Sequence, residues 1–415
     1  MATNQFNNIA MITKKSLNVL RNNLVLVPRV NRTYEKEFSQ GMGKIGDTVN
    51  ARVPGFATVT AGKVAVPDGF QDSYVPVTVS QFNTSLRLSS KELALNAEDG
   101  DTLGGEFERS VLGPRMSAIY NKMDADGFAL YSGFNGSTGT PGTKPTDLQY
   151  FLDAKAGLAE NAAPVDDQIY AFLSPRTESS MVNGLKGLFQ DSTEIAKQYK
   201  KGVMGQSAGM SFLMSQNVVN HQTGTWSGTP LINDAGAALA SGGTTLPIDG
   251  FGGATDSFKK GDVLTVAGVY AVNPVSKVST GQLMEFTVTA DYAATANAMA
   301  ALPISPAFIT TGPNQNVTAL PLDNAVVQIF GHATSYSNKV SAANLVLHRD
   351  ALAFAAVDLP IFDGEKQVRA RDNDLGVSCR TTHWYDGVND ELLIRIDVMY
   401  GWAVLRQGFG YRVQA

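Results

Sequence analysis

The sequence predicts an α+β fold in which a small β-rich domain is inserted into a larger body. Two observations lead to this prediction. Residues 223–331 hold ten charged side chains in 109 positions and no arginine, whereas the other 306 residues hold 61. Apolar residues recur with a period of two in some segments and at helical spacing in others. The charge-poor segment, rich in Gly, Ala, Thr and Val, therefore indicates a separate domain within a mixed chain.

The composition is that of a folded globular protein. The 415 residues are 43% hydrophobic and 17% charged, which is typical of a chain with a packed core. No apolar run reaches the length of a membrane span, and the N-terminus lacks the features of a secretion signal, so we expect a cytosolic product without membrane contact. The lone Cys379 excludes an internal disulfide. Rigidity must then come from packing or from neighbouring subunits.

The formal net charge of −5 is unevenly distributed. Residues 1–50 carry seven Lys or Arg against three acids, whereas residues 223–331 carry three Lys against seven acids. A basic N-terminal arm can bind an acidic partner, although scattered lysines on an exposed face give the same count. The arm has no interleaved aromatic residues, so sequence-specific DNA binding is not expected.

The N-terminal segment is predicted to be a short amphipathic arm followed by a β-hairpin. Ile9, Ile12 and Val19 lie at helical spacing, and Pro28 cannot lie inside the helix. Over residues 46–80 the apolar period changes to two, with Gly and Pro between the alternating stretches. We expect a long hairpin there, too thin to bury its own apolar face.

Helices and a strand alternate in the body that follows. A helical stripe of apolar residues runs over 103–130, and Gly113-Pro114 must interrupt or kink it. Residues 148–158 are predicted to be helical, residues 169–173 to form a buried strand, and Pro175 to begin another helix. This alternation favours a compact α/β body.

The insert and the C-terminal region contain further strands. Residues 263–266, 269–272 and 286–289 form short apolar stretches between turns, which favours a small β-barrel or sandwich. Near the C-terminus, residues 377–384 and 392–400 alternate on either side of a turn rich in Asp, Gly and Asn. We expect a hairpin whose mixed face lies against water or another subunit.

One motif raises the alternative of a serine hydrolase. Residues 205–209 (Gly-Gln-Ser-Ala-Gly) match the nucleophile elbow, in which a serine is exposed on a strand-to-helix turn. Asp358 or Asp363, followed by His383, would complete the chain order of such enzymes. The residues before Ser207 indicate a charged helix end and those after it a strand. A plain glycine-rich turn is therefore the favoured interpretation.

No metal or cofactor site is predicted. The four histidines show no paired ligand spacing, and Cys379 precedes His383 on one predicted strand face, where a packed side chain is the commoner role. Residues 122–127 resemble a calcium loop but have lysine at the first ligand position. Residues 250–253 are not followed by the Lys-Ser of a phosphate-binding loop.

The order of these parts resembles a known family. A basic arm, a β-hairpin, a long helix, an α/β body, a β-rich insert and returning strands occur in the major capsid proteins of tailed double-stranded-DNA phages. The chain is most similar to the coat proteins of short-tailed phages that carry an inserted domain. The stretches that match in order are residues 85–93, 173–176, 207–212, 258–262 with 267–269, and 394–401.

The resemblance implies a tailed-phage/herpesvirus-type capsid fold with an inserted small β-barrel-like domain. Pro114 departs from a smooth spine helix and leaves the length of that helix open. The implied segments are an N-terminal arm (1–43), an extended β-loop (44–84), a peripheral domain with a spine helix (85–135), an axial domain (136–222), the insert (223–331), and a return to the axial and peripheral domains (332–415).

The resemblance also implies the function of a major capsid protein, which assembles as hexamers and pentamers into the icosahedral shell around the phage genome. Implied partners are a scaffolding protein, a portal protein and non-specifically contacted DNA, with assembly in the bacterial cytoplasm, no catalysis and no cofactor. Lys14, Lys15 and Arg21 of the arm are the candidate partner-binding residues. The alternatives are a serine hydrolase using Ser207, or another self-assembling virion protein such as a tail-tube subunit. The insert argues against a tail tube.

Overall fold

The computed structural model describes residues 13, 24–33, 48–57, 63, 73–91, 113–185, 205–234, 239–329, 336–362, 366–372 and 375–415. Strands dominate these residues, and the few helices are short, which confirms the α+β class. The helices are α1 (Gly113–Phe128), α2 (Gln149–Glu160) and α3 (Pro175–Leu185), with 3-10 turns at Val27–Arg29, Ala129–Gly133, Arg349–Ala351 and Gln407–Phe409.

The strands of the described residues are numbered in chain order. They are β1 (Thr48–Val53), β2 (Ser73–Thr78), β3 (Ser80–Ser89), β4 (Gly136–Gly139), β5 (Ile169–Leu173), β6 (Gln206–Ser207), β7 (Met210–Met214), β8 (Asn220–Gln222), β9 (Gly228–Ile232), β10 (Thr245–Phe251), β11 (Ser257–Phe258), β12 (Val263–Val272), β13 (Ser279–Val288), β14 (Tyr292–Ala293), β15 (Met299–Ser305), β16 (Val327–Ile329), β17 (Val340–His348), β18 (Leu352–Ala356), β19 (Gln367–Arg371), β20 (Ser378–Asp386), β21 (Glu391–Val404) and β22 (Gly410–Gln414).

The described residues fall into two compact units. Unit 1 contains those within 1–51, 75–127 and 352–403, and unit 2 contains those within 52–74, 128–351 and 404–415. The six segment boundaries expected from the resemblance remain predictions. Much of the predicted arm, and residues 92–112 of the predicted spine helix, lie outside the described residues.

The long strand β21 organises the main sheet of unit 1. The strand order is β18-β21-β20-β19, and β3 pairs antiparallel with β21 over its whole length. Asp386 pairs with Glu391, so four residues connect β20 to β21, and Asp390 adopts a positive φ of 52° there. The predicted C-terminal hairpin is therefore confirmed, with both strands longer than expected.

Helix α1 forms the other part of the unit 1 core. Met116 and Met123 are fully buried, and the Trp402 indole of β21 donates to the Met123 carbonyl at 3.1 Å. The buried Asp124 carboxylate accepts the backbone N–H of Val25 at 2.8 Å and of Leu26 at 3.4 Å. Burial raises the pKa of Asp124 to about 6, although these donors oppose the shift. The chain at 24–30 is thereby held against α1.

The extended loop is partly described. Strands β1 and β2 form a two-stranded sheet, which the hairpin predicted over 46–80 requires. The Thr48 and Thr78 hydroxyl oxygens lie 2.9 Å apart. Most of the residues between these strands lie outside the described part of the chain.

Unit 2 contains a seven-stranded sheet with helix α2 packed on it. Its order is β4-β22-β17-β5-β7-β6, with β8 paired to β17. Phe151, Ala154 and Leu158 recur at helical spacing and form the buried face of α2. The predicted strand over 169–173 is confirmed as β5, and the helix expected from Pro175 is α3, where the Ser174 hydroxyl caps the Thr177 N–H at 3.2 Å.

Strands β9 to β16 of unit 2 surround a core of their own, and β11 and β14 among them form a separate two-stranded sheet. Six of them pair in the order β16-β12-β13-β15-β10-β9. A bridge between Leu231 and Val326 joins the two ends of this sheet and closes it into a small barrel. Phe286 and Phe308 are fully buried in its core, with ring centroids 4.5 Å apart. The β-rich character predicted for 223–331 is present in the described residues, while the limits of the insert stay a prediction.

Candidate functional site

The face of the barrel that lies opposite its core is polar. Along β13, Phe286 and Val288 are buried in the barrel core, so the alternate residues Glu285 and Thr287 lie on the other face. Thr265 of β12 pairs directly with Glu285 and extends this polar row. We call the buried and half-buried polar groups at this face the polar seam. Its members are Tyr131, His221, Asp262, Glu285, Thr287 and Arg412.

Arg412 of β22 is the cation of the polar seam and is fully buried. Its guanidinium donates to the Gly261 carbonyl and, at 3.1 Å, to the Thr287 hydroxyl. The guanidinium carbon also lies 5.8 Å from the ring centroid of Tyr131, within cation–π range. Burial lowers the pKa of Arg412 to about 10, and the neighbouring Tyr131, Glu285 and Asp262 oppose this shift. The side chain therefore stays charged at neutral pH.

Tyr131, His221 and Asp262 form a chain of hydrogen bonds beside Arg412. The Tyr131 hydroxyl lies 2.9 Å from Nδ1 of His221, and Nε2 of His221 donates to Oδ1 of Asp262 at 2.8 Å. Oδ2 of Asp262 accepts the backbone N–H of Gly224 at 3.0 Å and of Lys259 at 2.8 Å. Burial raises the pKa of Tyr131. The order of groups is that of a catalytic relay.

Burial decides between a catalytic and a structural role for this chain of groups. Only 2% of His221 and 0% of Asp262 is exposed, so a substrate in solution has no access to the imidazole. Their partners come from different parts of unit 2, namely β8, the turn after α1 and the loop before β12. Directional bonds between these elements fix their relative orientation, and removing one partner would leave a buried polar group unpaired. The seam is therefore a rigid joint.

Glu285 lies at the edge of the polar seam. Its Oε2 accepts the Ser137 backbone N–H at 2.9 Å, and the Asn135 side chain donates to its carbonyl at 3.2 Å. Burial raises the pKa of Glu285 to about 8, while the Ser137 N–H and the charge of Arg412 oppose the rise. Glu285 therefore carries a proton over much of the neutral range.

A second feature of unit 2 holds the base of the extended loop. Two cations contact the ring of Phe56, with Lys277 Nζ 5.6 Å and the Arg406 guanidinium carbon 5.5 Å from its centroid. Arg406 also donates to the Pro54 carbonyl at 3.1 Å. These contacts fix the position of the chain as it leaves β1.

The structure does not bring the sequence-predicted site residues together. Lys14, Lys15 and Arg21 lie outside the described residues. Ser207 pairs with Met210 in the β6–β7 hairpin, and Ala208 and Gly209 form its turn with φ of 52° and 70°.

The geometry at Ser207 excludes the nucleophile elbow, because a strand rather than a helix follows the serine. The expected partners do not form a relay either. Asp358 pairs with Arg371 at 3.1 Å, Asp363 lies outside the described residues, and His383 is a buried residue of β20. The plain turn favoured by the sequence is confirmed.

The remaining candidate groups give no metal site within the described residues. No three His, Cys, Asp or Glu side chains lie close enough there to hold a metal ion. Cys379 is fully buried, and burial together with the charge of Asp397 raises the pKa of its thiol to about 12. Nor does any described helix have the length and apolarity needed to cross a membrane.

The sequence alone does not identify the residues of the polar seam. Their signal is a charged residue at an alternating position of an otherwise apolar strand. Arg412 lies between Tyr411 and Val413, and Glu285 lies between Met284 and Phe286 in a segment with few charges. A charge in such a place indicates either an exposed face or a buried partner. Only the tertiary structure distinguishes an exposed charge from a buried charge with a partner.

Comparisons with known proteins assign the chain to a group. A family model described as P22 coat protein, gene protein 5, matches residues 1–411. No curated protein sequence matches the chain significantly. A solved structure from Mycobacterium phage Che8 is 13% identical, with a TM-score of 0.45, covering 94% of this chain and 91% of that one.

Two other solved structures are similarly distant. The capsid of Ralstonia phage GP4 is 11% identical, with a TM-score of 0.44, covering 90% of this chain and 84% of that one. A virus-like particle from Pyrococcus furiosus is 8% identical, with a TM-score of 0.40, covering 98% of this chain and 100% of that one.

Replacing Arg412 tests the polar seam. Arg412→Met keeps the length of the side chain but leaves the Gly261 carbonyl and the Thr287 hydroxyl without their donor. We expect unit 2 to lose roughly 3–5 kcal/mol of stability, measured by calorimetry of thermal unfolding. Arg349→Met, at an exposed arginine of the same unit, is the matched control and should change stability by less than about 0.5 kcal/mol. Equal effects of the two changes would contradict a rigid joint.

Glu285 predicts a pH dependence of stability. Its folded pKa of about 8 exceeds the ordinary value of 4.5, so between these values the folded state keeps a proton that the unfolded state releases. The stabilisation is complete below the lower value and is lost as pH rises toward the higher one. Glu285→Gln, which cannot ionise, should flatten the stability profile measured by urea unfolding across this range. Asp124 acts in the same direction, so the variant is compared with the unmodified chain at each pH.

The control for this measurement is Asp167→Asn. Asp167 is an exposed carboxylate of unit 2, and its loss changes the net charge equally. Its profile should match that of the unmodified chain. If Glu285→Gln retains the full slope, the carboxyl group of Glu285 is not the source of the pH dependence.

Proposed function

The chain belongs to the P22 coat protein family, and from this premise we propose how its parts contribute to assembly. The protein is a major capsid protein, a structural subunit of the virion that forms a shell from copies of itself. It is not an enzyme. The single observation that carries this conclusion is the family match over residues 1–411.

We propose that the copies assemble as hexamers and pentamers of an icosahedral shell around double-stranded DNA. Closed shells require self-complementary surfaces that bury large areas between neighbours. Supporting this proposal, the β20–β21 hairpin of unit 1 exposes Trp384, Tyr385 and Val388, the last of them 92% exposed. Apolar side chains clustered at an exposed tip indicate a contact surface.

The tip of this hairpin is held in one conformation. The Tyr385 hydroxyl donates to Asp390 at 2.5 Å, and the Ser90 hydroxyl of the neighbouring chain segment donates to the same oxygen at 2.6 Å. A preformed tip lowers the entropy cost of binding another subunit. We therefore assign the hairpin tip to a contact with a neighbouring copy.

The segment roles follow the family resemblance and are proposed in the same way. Residues 1–43 would act as the arm, 44–84 as the extended loop, 85–135 as the peripheral domain with its spine helix, 136–222 as the axial domain and 223–331 as the insert. Residues 332–415 would return to the axial and peripheral domains. The contacts of Lys277 and Arg406 with the ring of Phe56 support a loop that projects from a fixed base.

We propose that a scaffolding protein and a portal protein take part in assembly in the host bacterial cytoplasm, and that packaged DNA is contacted non-specifically. The excess of basic residues in 1–50 supports an acidic partner for the arm. Within the arm, Lys14, Lys15 and Arg21 are the proposed contacts.

Electron microscopy tests the assembly proposal. The purified chain is imaged alone and together with a candidate scaffolding protein, at matched concentrations. We expect closed shells of uniform diameter in the presence of the scaffold. Open tubes under the same conditions would instead favour a tail-tube subunit, and isolated subunits under every condition would contradict self-assembly.

Charge reversal tests the arm separately from the fold. A triple variant with Lys14→Glu, Lys15→Glu and Arg21→Glu should fail to form shells with the scaffold, because the arm would repel an acidic partner. Its circular dichroism and melting temperature should stay unchanged.

The matched control carries the same reversal at three exposed cations of unit 2, which are Lys144, Lys339 and Arg349. Shell yield, measured by sedimentation, should be largely preserved in this control. If the arm variant forms shells as well as the control does, these three residues do not bind the scaffold.

A further inference from the structure

Unit 2 contains a cavity between helix α2 and the polar face of the barrel. Its volume is about 600 Å³, within the range of small-molecule sites. Asp153 and Glu160 line it from α2, Glu285 lines it from β13, and Tyr411 lines it from β22. The cavity is therefore lined by elements of unit 2 alone.

The charged side chains that line the cavity are all acidic. They are Asp153, Glu160 and Glu285, and no Lys, Arg or His belongs to the lining among the described residues. Burial raises the pKa of the Tyr411 hydroxyl, and the charges of Glu285 and Glu160 raise it further. Tyr411 therefore lies close to both of these carboxyl groups. Asp153 and Glu160 thus bring negative charge to the cavity, and Glu285 adds a carboxyl group that is protonated over much of the neutral range.

Unused polar atoms at the wall also indicate a ligand. Asn135 is 7% exposed and lines the cavity, and its Oδ1 has no hydrogen-bond partner within the described residues. Its Nδ2 is already engaged with the Glu285 carbonyl, which orients the amide. The buried Ser137 hydroxyl, also at the wall, is likewise unpartnered in the described part of the chain. Buried acceptors of this kind normally have a donor.

Two glycines leave room for the Tyr411 ring in the cavity wall. A Cβ atom at Gly157 would come within 2.3 Å of the Tyr411 ring, and one at Gly136 within 2.6 Å. Only glycine at both positions leaves room for the ring between α2 and β4. The tyrosine is thereby fixed in place.

The lining selects the chemistry of the ligand. Acidic groups and free acceptors favour a cation that donates several hydrogen bonds. The described carboxyl groups do not converge closely enough to hold a bare metal ion. Apolar wall residues, among them Ala156, Ala271 and Leu283, suit a short hydrocarbon chain. We propose that this cavity binds an alkylammonium group, of the kind carried by a linear polyamine or by a lysine side chain.

Binding is coupled to the protonation of Glu285. The charged and titratable groups around it are Arg412 and Tyr411 on β22, and the carboxylates of Asp153 and Glu160 on α2 line the same cavity. A bound ammonium group stabilises the ionised carboxylate, so ligand binding releases a proton below pH about 8. Affinity therefore increases as pH rises toward that value. The ligand would contact both α2 and β13.

Calorimetric titration of the full-length chain with putrescine, a linear diamine, tests the proposal. We expect saturable binding that strengthens with pH and releases protons, detected by comparing buffers of different ionisation enthalpy. Butanediol, a neutral molecule of the same length, should not bind. Absence of putrescine binding, or equal binding of butanediol, would overturn the proposal.

Two variants and a control locate the site. Glu285→Gln and Glu160→Gln should each weaken putrescine binding roughly tenfold or more, equivalent to about 1.4 kcal/mol. The first should also abolish proton release. Asp167→Asn, an exposed carboxylate outside the cavity, should leave affinity within about twofold. Equal weakening by all three changes would show only general charge attraction and would overturn the site.

Assembled shells distinguish the two sources of the ammonium group. If shells bind putrescine as free subunits do, the ligand is a free amine. If binding is lost on assembly and restored on dissociation, a lysine of another copy occupies the cavity. Failure of shell assembly would not affect the titration of free subunits, so this test is independent of the proposed function.

Discussion

The buried charge of Arg412 is the constraint on which unit 2 depends. A guanidinium removed from water is costly unless every neighbour supplies compensation. Here the compensation comes from the Gly261 carbonyl, the Thr287 hydroxyl and the face of Tyr131, contributed by chain segments distant in sequence. These segments present the Gly261 and Thr287 acceptors to the Arg412 guanidinium only in one relative arrangement. These directional hydrogen bonds therefore set the orientation of the barrel on the seven-stranded sheet. Apolar packing alone would define that orientation less sharply.

A shell subunit benefits from such a joint. Curvature of a closed shell depends on the angle between subunits, and that angle is transmitted through each subunit. A loose connection inside unit 2 would allow many curvatures, whereas a network of directional bonds allows few. At the base of the extended loop, the contacts of Lys277 and Arg406 with Phe56 likewise fix the position of a chain segment. Both devices use a buried or stacked cation in place of a larger apolar interface.

Local patterns predicted much of the described fold. The features that they did not predict depend on contacts between residues distant in sequence. The strand β5 and the β20–β21 hairpin were predictable because alternation and turn residues are local signals. The hairpin at Ser207 was predictable because a strand pattern follows it. The polar seam was not, since nothing near Arg412 in sequence identifies Gly261 and Thr287 as its acceptors. The cavity is hidden for the same reason, as Glu160 and Glu285 belong to different elements.

The closure of the barrel affects how readily the protein aggregates at high concentration. An open six-stranded sheet would present two rows of unsatisfied amides and carbonyls, each a template for uncontrolled stacking between molecules. The bridge from Leu231 to Val326 joins the two edges of the sheet within one polypeptide and so leaves less of each edge open. Stacking of such edges into fibres would compete with the assembly of a closed shell. Sealing this sheet removes one route to such aggregates.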